Sequence, residues 1–415
     1  MCIRDSTVID DHRLMFDLAE PNPALDIVLA GPIGRVFSIE AARVDPSGFI
    51  RSPVGTGPFI MEPWEIGEPV KLSANSEYWR TGSDGKSLPY LDELIFREVA
   101  DEQERIQSVQ RGDADFAHSR STLAISRARD LELTVISRNE DNVGVVLFNT
   151  VQSPVDDVRV RRALQMSTNQ DVLIKASLGA GAGEPATQWF DSQSRWWSSL
   201  VAETWPDSDA SAAEQLLADY VNDEDRSDRR APGSQISIDL QCTDDIHMSS
   251  MIRELARQWE ATGYIEVETE TVTRSGLIQR VLGSVTDRPG FSGDFMATCW
   301  RVGGESDPAM MFGPLFGPIR TSPLNVSNLH SEPLTAFVEL LHSSSVETVR
   351  QAAVEQIMLV LTEQMPMIYL SHAQSAVIGH PGTGGLGYWQ LPNGNEVYGQ
   401  VAGVGRWSDV WLSGE

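Results

Sequence analysis

Residues 148–164 have the sequence FNTVQSPVDDVRVRRAL, and this stretch decides the fold because three kinds of structure meet in it. The run Val143–Phe148 leads into it with continuous apolar character and strand length, which indicates a strand buried on both faces. Residues 149–154 then predict a crossing between two lobes. Residues 159–176 carry apolar side chains at helical spacing and predict a single helix.

Strand and helix patterns continue to alternate after this stretch. Residues 210–221 and 248–262 have apolar side chains at helical spacing, while 236–240 and 265–271 alternate between apolar and polar side chains as half-buried strands do. A long helix is predicted over residues 346–364. Strands that alternate with helices predict an α/β lobe.

Short motifs, which occur in a fixed order along the chain, point to one protein family. They are Gly55-Thr56-Gly57-Pro58-Phe59, Asn75-Ser76-Glu77-Tyr78-Trp79, Gly112-Asp113-Ala114-Asp115, Phe148-Asn149-Thr150, the Asp157 to Leu164 segment, and Gln364-Met365-Pro366-Met367-Ile368-Tyr369. Together they resemble the extracytoplasmic solute-binding proteins of ABC importers, in the oligopeptide-, dipeptide- and nickel-binding family (family 5). The resemblance implies capture and delivery of a ligand without covalent chemistry, so we expect no enzyme activity and no cofactor.

The resemblance also implies the architecture. We expect an α/β fold with two lobes, of the periplasmic-binding-protein type (type II, similar to cluster C), with two or more crossings in the hinge. The expected parts are residues 1–49 as a remnant of a small amino-terminal lobe, 50–150 as the first lobe, 151–374 as the second, α/β lobe, and 375–415 as the return to the first lobe. Asn149 and Thr150 are expected at the hinge, and the ligand between the lobes.

The amino-terminal end of the sequence carries a further expectation. Residues 7–18 resemble a segment that lies well inside the chains of the family, and no basic-then-apolar signal segment precedes them. We therefore expect an amino-terminally truncated fragment with an incomplete first lobe and a missing export signal. The resemblance implies a periplasmic or cell-surface-anchored protein that acts as a monomer with the membrane permease of an ABC importer.

The charge balance restricts the partners. The chain has 32 Lys and Arg residues against 59 Asp and Glu residues, which gives a formal net charge of −27. So acidic a surface repels phosphate backbones, and we expect no nucleic-acid partner. A solvated acidic surface is the default interpretation, and a field that attracts cationic ligands is the alternative.

Cysteines and histidines give no metal-ligand pattern. Cys2, Cys242 and Cys299 form no disulfide framework, and the apolar surroundings of the latter two predict small buried hydrophobic residues. Asp244 and Asp245 precede His247 without helical ligand spacing, and the segment is better suited to cap the following helix. We expect no metal site.

The resemblance places the ligand-binding residues in the segment 295–312. In the family, an apolar strand brings a Trp to the cleft and an acidic residue follows before a Pro, which here implies the set Trp300, Arg301, Gly303, Glu305 and Asp307. Peptide binders have an Asp three residues after the Trp, where this chain has Gly303. Glu305 or Asp307 could replace it, and the departure also admits oligosaccharides. Arg280 lies near the position of a carboxylate-binding Arg in the peptide binders.

Two other classes of function stay open from sequence. An extracytoplasmic hydrolase could use a similar cleft, and a peptide-binding chaperone or sensor could bind without transport. The chain has no H-E-x-x-H or G-x-S-x-G motif, which leaves the hydrolase without local support. Gly382, Gly384 and Gly387 spell G-x-G-x-x-G, but the following residues 388–394 do not form a helix pattern, so we interpret the run as a glycine-rich loop.

Overall fold

The computed structural model describes residues 3–19, 21–31, 34–178, 183–244, 246–283, 293–303, 307–317, 322, 324–390, 396–398, 400–401 and 404–413. The chain divides into two compact units. Unit 1 consists of Met1–Val28 and Asp141–Ala373, and unit 2 consists of Leu29–Glu140 and Gln374–Glu415. Among the described residues, no helix has the length and apolar character needed to cross a membrane.

The elements follow one another along the chain in a mixed α/β order. Up to residue 148 they are β1 (Ile3–Asp10), β2 (Arg13–Leu18), α1 (Leu25–Ala30), α2 (Ile39–Val44), α3 (Pro46–Phe49), β3 (Phe59–Met61), β4 (Val70–Ala74), β5 (Glu93–Phe96), α4 (Glu102–Arg111), β6 (Phe116–Ser119), α5 (Thr122–Asp130) and β7 (Thr134–Phe148). From there to residue 316 they are α6 (Val158–Met166), α7 (Gln170–Leu178), α8 (Ser199–Thr204), α9 (Ala210–Val221), β8 (Ile236–Thr243), α10 (Ile246–Glu260), β9 (Ile265–Val272), α11 (Arg274–Leu282), β10 (Ala297–Gly303) and α12 (Pro308–Phe316). The rest are α13 (Glu332–Ser343), α14 (Glu347–Gln364), β11 (Met367–Gly379), β12 (Thr383–Gly384), β13 (Tyr388–Gln390), β14 (Glu396–Tyr398), β15 (Gln400–Val401), β16 (Val404–Gly405), a 3-10 turn (Trp407–Asp409) and β17 (Trp411–Leu412).

The main sheet of unit 1 has its strands in the order β11, β7, β10, β8, β9. Strand β8 pairs with β9 in parallel through the crossover helix α10, and β10 is parallel to β8 but antiparallel to β7. Parallel pairing needs such crossovers, which is why the strands and helices alternate along the sequence. The predicted α/β lobe is confirmed.

Two core clusters cover the two faces of this sheet, and β7 supplies both. The α14 cluster takes Val143, Val145 and Leu147 from β7 and packs them against helices α12, α13 and α14, whereas the α10 cluster takes Val146 and Phe148 and packs them against α6, α9 and α10. All five β7 side chains are at most 2% exposed. The predicted burial of this strand on both faces is confirmed.

Unit 2 has smaller cores. The strands β3, β4 and β5 form an antiparallel sheet in which each side chain is half-buried or exposed. Strand β6 pairs with the carboxyl-terminal part of β11, with Ser119 opposite Ala376 and Phe116 opposite Gly379. One face of this pair packs on α4 and α5 around Ile106 and Ile125. Helix α4 ends as predicted at Gly112, whose φ of 75° closes the helix in the left-handed conformation.

The boundaries between the units differ from the sequence-based division. The chain passes from unit 2 to unit 1 at residues 140/141 and back at 373/374, inside the continuous strands β7 and β11. The sequence-based division set the crossings after residues 150 and 374. The first was placed there because the apolar run marks the end of β7. Residues 3–19 and 21–28 lie with unit 1, although residues 1–49 were expected as one remnant lobe.

The helix predicted over residues 159–176 is wrong, because the structure has two helices there. Helix α6 ends at Met166 and α7 begins at Gln170. Ser167 Oγ and Thr168 Oγ1 donate to the carbonyls of Ala163 and Leu164 at 2.7 and 2.8 Å, and such bonds compete with the backbone pattern of a helix. In contrast, the helices predicted from residues 210, 248 and 346 are confirmed within two residues at each end.

The two buried cysteines correct another expectation. Cys242 of β8 and Cys299 of β10 are 0% and 7% exposed as predicted, but they form a disulfide between adjacent parallel strands, with 4.9 Å between the Cα atoms. Sequence reasoning missed it because the 57-residue separation is closed only by the register of β10 beside β8.

Loss of this disulfide is expected to destabilise unit 1. Cross-linking residues 57 positions apart removes freedom from the unfolded chain, so reduction or the Cys242→Ala/Cys299→Ala variant should lower the free energy of unfolding by about 2–4 kcal/mol. Denaturant titration with and without a reducing agent measures the effect, and the double variant should no longer respond to the agent. Titration of unfolded, unreduced protein should find one thiol. Three thiols would contradict the disulfide.

Candidate functional site

Three of the predicted ligand residues lie at the carboxyl end of β10. Trp300 is opposite Val145 of β7, and Gly303 is opposite Asn142. Side chains alternate along a strand. Trp300 is half-buried against the α14 cluster, and the neighbouring Arg301 is exposed and projects from the other face. The side chains of Trp300 and Arg301 therefore lie on opposite faces of the sheet.

The backbone at Gly303 explains the residue type there. Its φ of 110° lies in the region that favours glycine over all other residues. An Asp at this position, as in the peptide binders that the sequence resembles, would be strained in this conformation. The strand end of this chain is thus built without an acidic side chain.

A histidine that sequence reasoning missed lies beside this strand end. Burial lowers the pKa of His372 on β11, although the carboxylate of Asp191, a hydrogen bond with the Asn142 backbone and the carboxylate of Glu184 oppose the shift. Its Nδ1 is buried and has no partner among the described residues. His372 is therefore neutral at pH 7 and has hydrogen-bonding capacity to spare. The sequence offered one signal for His372, which is its position three residues after Tyr369, the last residue of the final family motif.

The acidic residues predicted to follow Trp300 divide into two cases. Glu305 lies outside the described residues. Asp307 is completely buried, and its Oδ1 accepts from the Ala309 N–H at 2.9 Å and from Arg350 Nη2 at 2.6 Å. It thereby caps α12 and neutralises a buried arginine, which gives it a structural role. The ligand-binding role of Asp307 stays a prediction, and this geometry does not favour it.

Arg280 is engaged at the surface of unit 1. Its guanidinium forms a two-bond ion pair with Glu270 of β9, which raises the pKa of Arg280 and lowers that of Glu270. The Arg280 carbonyl accepts from the Asp294 N–H at 2.8 Å. A carboxylate ligand would have to displace Glu270 from Arg280, so this ion pair competes with the predicted role of Arg280 in ligand binding.

The two expected hinge residues are held inside unit 1. Asn149 is fully buried, donates to the Phe295 carbonyl at 3.1 Å and accepts from Asn328 Nδ2 at 2.9 Å. Thr150 Oγ1 donates to the Ser327 carbonyl at 3.0 Å. These bonds fix the end of β7 to residues 295–328, and the hinge role of both residues stays a prediction.

In the part of the chain that the structure describes, no three His, Cys, Asp or Glu side chains are placed to share a metal ion. Asp244 precedes α10, which begins at Ile246. Gly387 leads directly into strand β13, so the glycine-rich segment has none of the helix that a dinucleotide site requires.

Comparison with solved structures identifies the fold. The chain matches HbpA2 from Haemophilus parasuis at 20% identity and a TM-score of 0.76, over 99% of this chain and 76% of that one. It matches the periplasmic binding protein DppA from Helicobacter pylori, solved in complex with the peptide STSA, at 17% identity and a TM-score of 0.75, over 100% of this chain and 75% of that one. NikA from Staphylococcus aureus, in complex with Ni(L-His)2, matches at 18% identity and a TM-score of 0.65, over 94% and 77% of the two chains. The fold is that of the two-lobed periplasmic binding proteins.

The family follows from the sequence. The model described as bacterial extracellular solute-binding proteins, family 5 Middle, matches residues 3–321, and the chain belongs to this family. The glutathione-binding protein GsiB of Salmonella paratyphi A is 30% identical over 188 residues, which are 45% of this chain and 35% of that protein. The di/tripeptide-binding protein 3 of Pseudomonas aeruginosa is 30% identical over 192 residues, 44% and 35% of the two. The chain thus spans about a third of the length of these relatives.

Proposed function

We propose that this chain is part of an extracytoplasmic solute-binding protein that captures a peptide or an oligosaccharide and delivers it to the membrane permease of an ABC importer. The family match over residues 3–321 carries the proposal. Names of relatives that specify glutathione and di- or tripeptides support short peptides as the first class to test. The protein works as a monomer, in the periplasm or anchored at the cell surface. The Cys242–Cys299 disulfide fits such a compartment, because disulfides persist where the surroundings are oxidising.

Trp300 is the aromatic contact of the proposed binding site. Its half-buried ring lies at the end of a core strand, where a rigid scaffold can present one face to a ligand. Calorimetric titration with di- and tripeptides and with oligosaccharides tests the function directly. Saturable binding of a member of either class supports it, and no binding of either class contradicts it.

The Trp300→Ala variant is expected to weaken the binding of the identified ligand by about 1–3 kcal/mol, because a large aromatic anchor is lost. Trp300→Phe, which keeps a ring against the α14 cluster, should weaken it less. Trp197→Ala, at an exposed tryptophan of the same unit, is the control and should leave the affinity unchanged. Unchanged affinity in Trp300→Ala, or unfolding of that variant in circular dichroism, would assign the residue to the core instead.

A further inference from the structure

A surface groove lies between the helices α4 and α5 of unit 2. Its volume is about 210 Å³, and its apolar lining consists of the buried side chain of Ile106 and the half-buried side chain of Leu131. Both residues belong to the small core that packs around Ile125, or pack directly against it. The groove therefore rests on packed structure and lies entirely within one unit.

Three glutamines form one wall of the groove. Gln103, Gln107 and Gln110 are four and three residues apart on α4, so their side chains follow one face of the helix over about 10 Å. All three are exposed, and their amides have no partner in the part of unit 2 that the structure describes. A carboxamide both donates and accepts hydrogen bonds, so this row can pair with the N–H and C=O groups of a peptide backbone.

Two arginines complete the lining and differ in their engagement. Arg111 donates from Nη2 to Glu104 and from Nε to Asp113, each at 2.7 Å. Arg127 of α5 is exposed, and its guanidinium has no partner among the described residues. No carboxylate side chain is among the described residues that line the groove. The groove thus carries one positive charge that is not compensated from within its lining.

The size and exposure of the groove indicate the kind of anion that fits. Sites for small molecules commonly have volumes of about 300–1,000 Å³ and enclose most of the ligand surface. This groove is smaller, and its polar side chains are exposed, so a small molecule would stay largely in water. A polypeptide segment needs no such enclosure, because successive residues can contact the row of glutamines and continue beyond it.

The net charge of −27 does not prevent an acidic segment from binding here. At physiological ionic strength the screening length is about 8 Å, so an exposed charge acts mainly on its immediate neighbours. The charge of the groove itself, rather than that of the whole chain, therefore decides which segment is attracted. Arg127 attracts a carboxylate and repels an ammonium group.

We propose that the groove between α4 and α5 is a docking surface for an extended acidic segment of a partner protein. Arg127 binds a carboxylate of that segment, the three glutamines pair with its backbone, and Ile106 and Leu131 contact the aliphatic part of its side chains. The inference does not rest on the solute-binding function, because all residues predicted to bind the solute belong to unit 1.

Matched peptides test the docking surface. The probes are a pentapeptide of alternating alanine and glutamate and its counterpart with glutamine in place of glutamate, both acetylated and amidated so that no terminal charge interferes. In fluorescence anisotropy at low ionic strength, the glutamate peptide should bind the full chain about fivefold more tightly, the scale of an exposed ion pair. About 0.5 M salt should remove the difference. Equal binding of the two peptides at low salt, or no binding of either, overturns the proposal.

Substitutions locate the contact. Arg127→Met should abolish the preference for the glutamate peptide, whereas Arg43→Met, at another exposed arginine of unit 2, should retain it. Gln107→Lys should increase the preference and Gln107→Glu should reverse it, while the similar helix propensities of these residues preserve α4. Gln279→Lys changes the net charge equally at an exposed position of α11 and should leave the preference as it is in the wild type.

The remaining outcomes contradict the proposal in distinct ways. If Arg127→Met keeps the preference, the peptide binds elsewhere. If Gln279→Lys raises the preference as much as Gln107→Lys does, the peptide responds to overall charge and not to the groove. If free glutarate binds more tightly than the glutamate peptide and loses its affinity in Arg127→Met, the occupant is a small dicarboxylate and not a polypeptide. Each result overturns the docking surface, and each is obtained without a solute, so the solute-binding function is tested separately.

Discussion

Asp307→Ala should lower the free energy of unfolding of unit 1 by about 3–5 kcal/mol, because it leaves Arg350 buried without its charge partner. Arg350 is 4% exposed, its Nε donates to the Leu341 carbonyl at 3.3 Å, and its guanidinium lies 5.4 Å from the ring centroid of Trp196. None of these neighbours carries a negative charge. Denaturant unfolding followed by circular dichroism measures the loss.

An exposed cap in the same unit provides the control for Asp307. Asp209 caps α9 by accepting from the Ala212 N–H at 3.0 Å, but it lies at the surface, so Asp209→Ala should cost only about 1 kcal/mol. Asp307→Asn keeps a cap acceptor and removes the charge, and should fall between the two alanine variants. If Asp307→Ala costs no more than Asp209→Ala, the buried ion pair does not stabilise unit 1.

The same variants decide between the two roles of Asp307. If Asp307 binds ligand, Asp307→Asn should weaken the binding of a peptide amine, because the amine loses a charge-assisted hydrogen bond. The stability of unit 1 should then stay intact. If Asp307 has a structural role, Asp307→Asn should instead lower the stability of unit 1 before it affects ligand binding. The two measurements on one variant separate the alternatives.

Local sequence pattern predicted the parts of the fold that local physics controls. The apolar run Val143–Phe148 must be buried on both faces, and β7 is. Gly112 ends α4 because its backbone can turn left-handed. The break between α6 and α7 at Ser167 and Thr168 was missed, and Thr168 Oγ1 there also accepts from Trp259 Nε1 at 3.0 Å, a contact that no local pattern encodes.

The features that the sequence did not predict depend on contacts between distant segments of the chain. Cys242 and Cys299 meet only when β10 lies beside β8 in one register. Asp307 was predicted to face ligand because it precedes a proline, but the charge that holds it lies 43 residues away on α14. Each depends on burial, which a single sequence does not report.

Arg161→Met is expected to be the other strongly destabilising change, with a loss of about 3–5 kcal/mol in the free energy of unfolding of unit 1, because several buried carbonyls lose their donor at once. Its guanidinium donates to the Gln364 carbonyl at 2.6 Å, to the Met365 carbonyl at 3.0 Å, and to those of Val155 and Asp156 at 2.8 and 2.9 Å. Burial lowers the pKa of Arg161 to about 10, so the group stays charged at pH 7.

These contacts join two of the motifs that suggested the family. Arg161 belongs to the Asp157–Leu164 segment, and it binds the end of α14, where Met365 leaves the helix with a φ of 49° before β11 begins. The last carbonyls of a helix have no intrahelical donor, so a buried helix end needs donors from elsewhere. One arginine supplies them here and thereby fixes α6 to the start of β11.

The neighbouring arginine provides the control for this last prediction. Arg162→Met changes the same residue type on the same helix at a half-buried position and should cost less than about 1 kcal/mol, as ordinary surface changes do. Arg161→Lys keeps the charge but cannot span carbonyls on two segments, so it should lose most of what Arg161→Met loses. Chemical unfolding of the three variants, with ligand absent, measures the differences. If Arg161→Lys is as stable as the wild type, charge alone suffices, and the bridge between the two motifs does not stabilise unit 1.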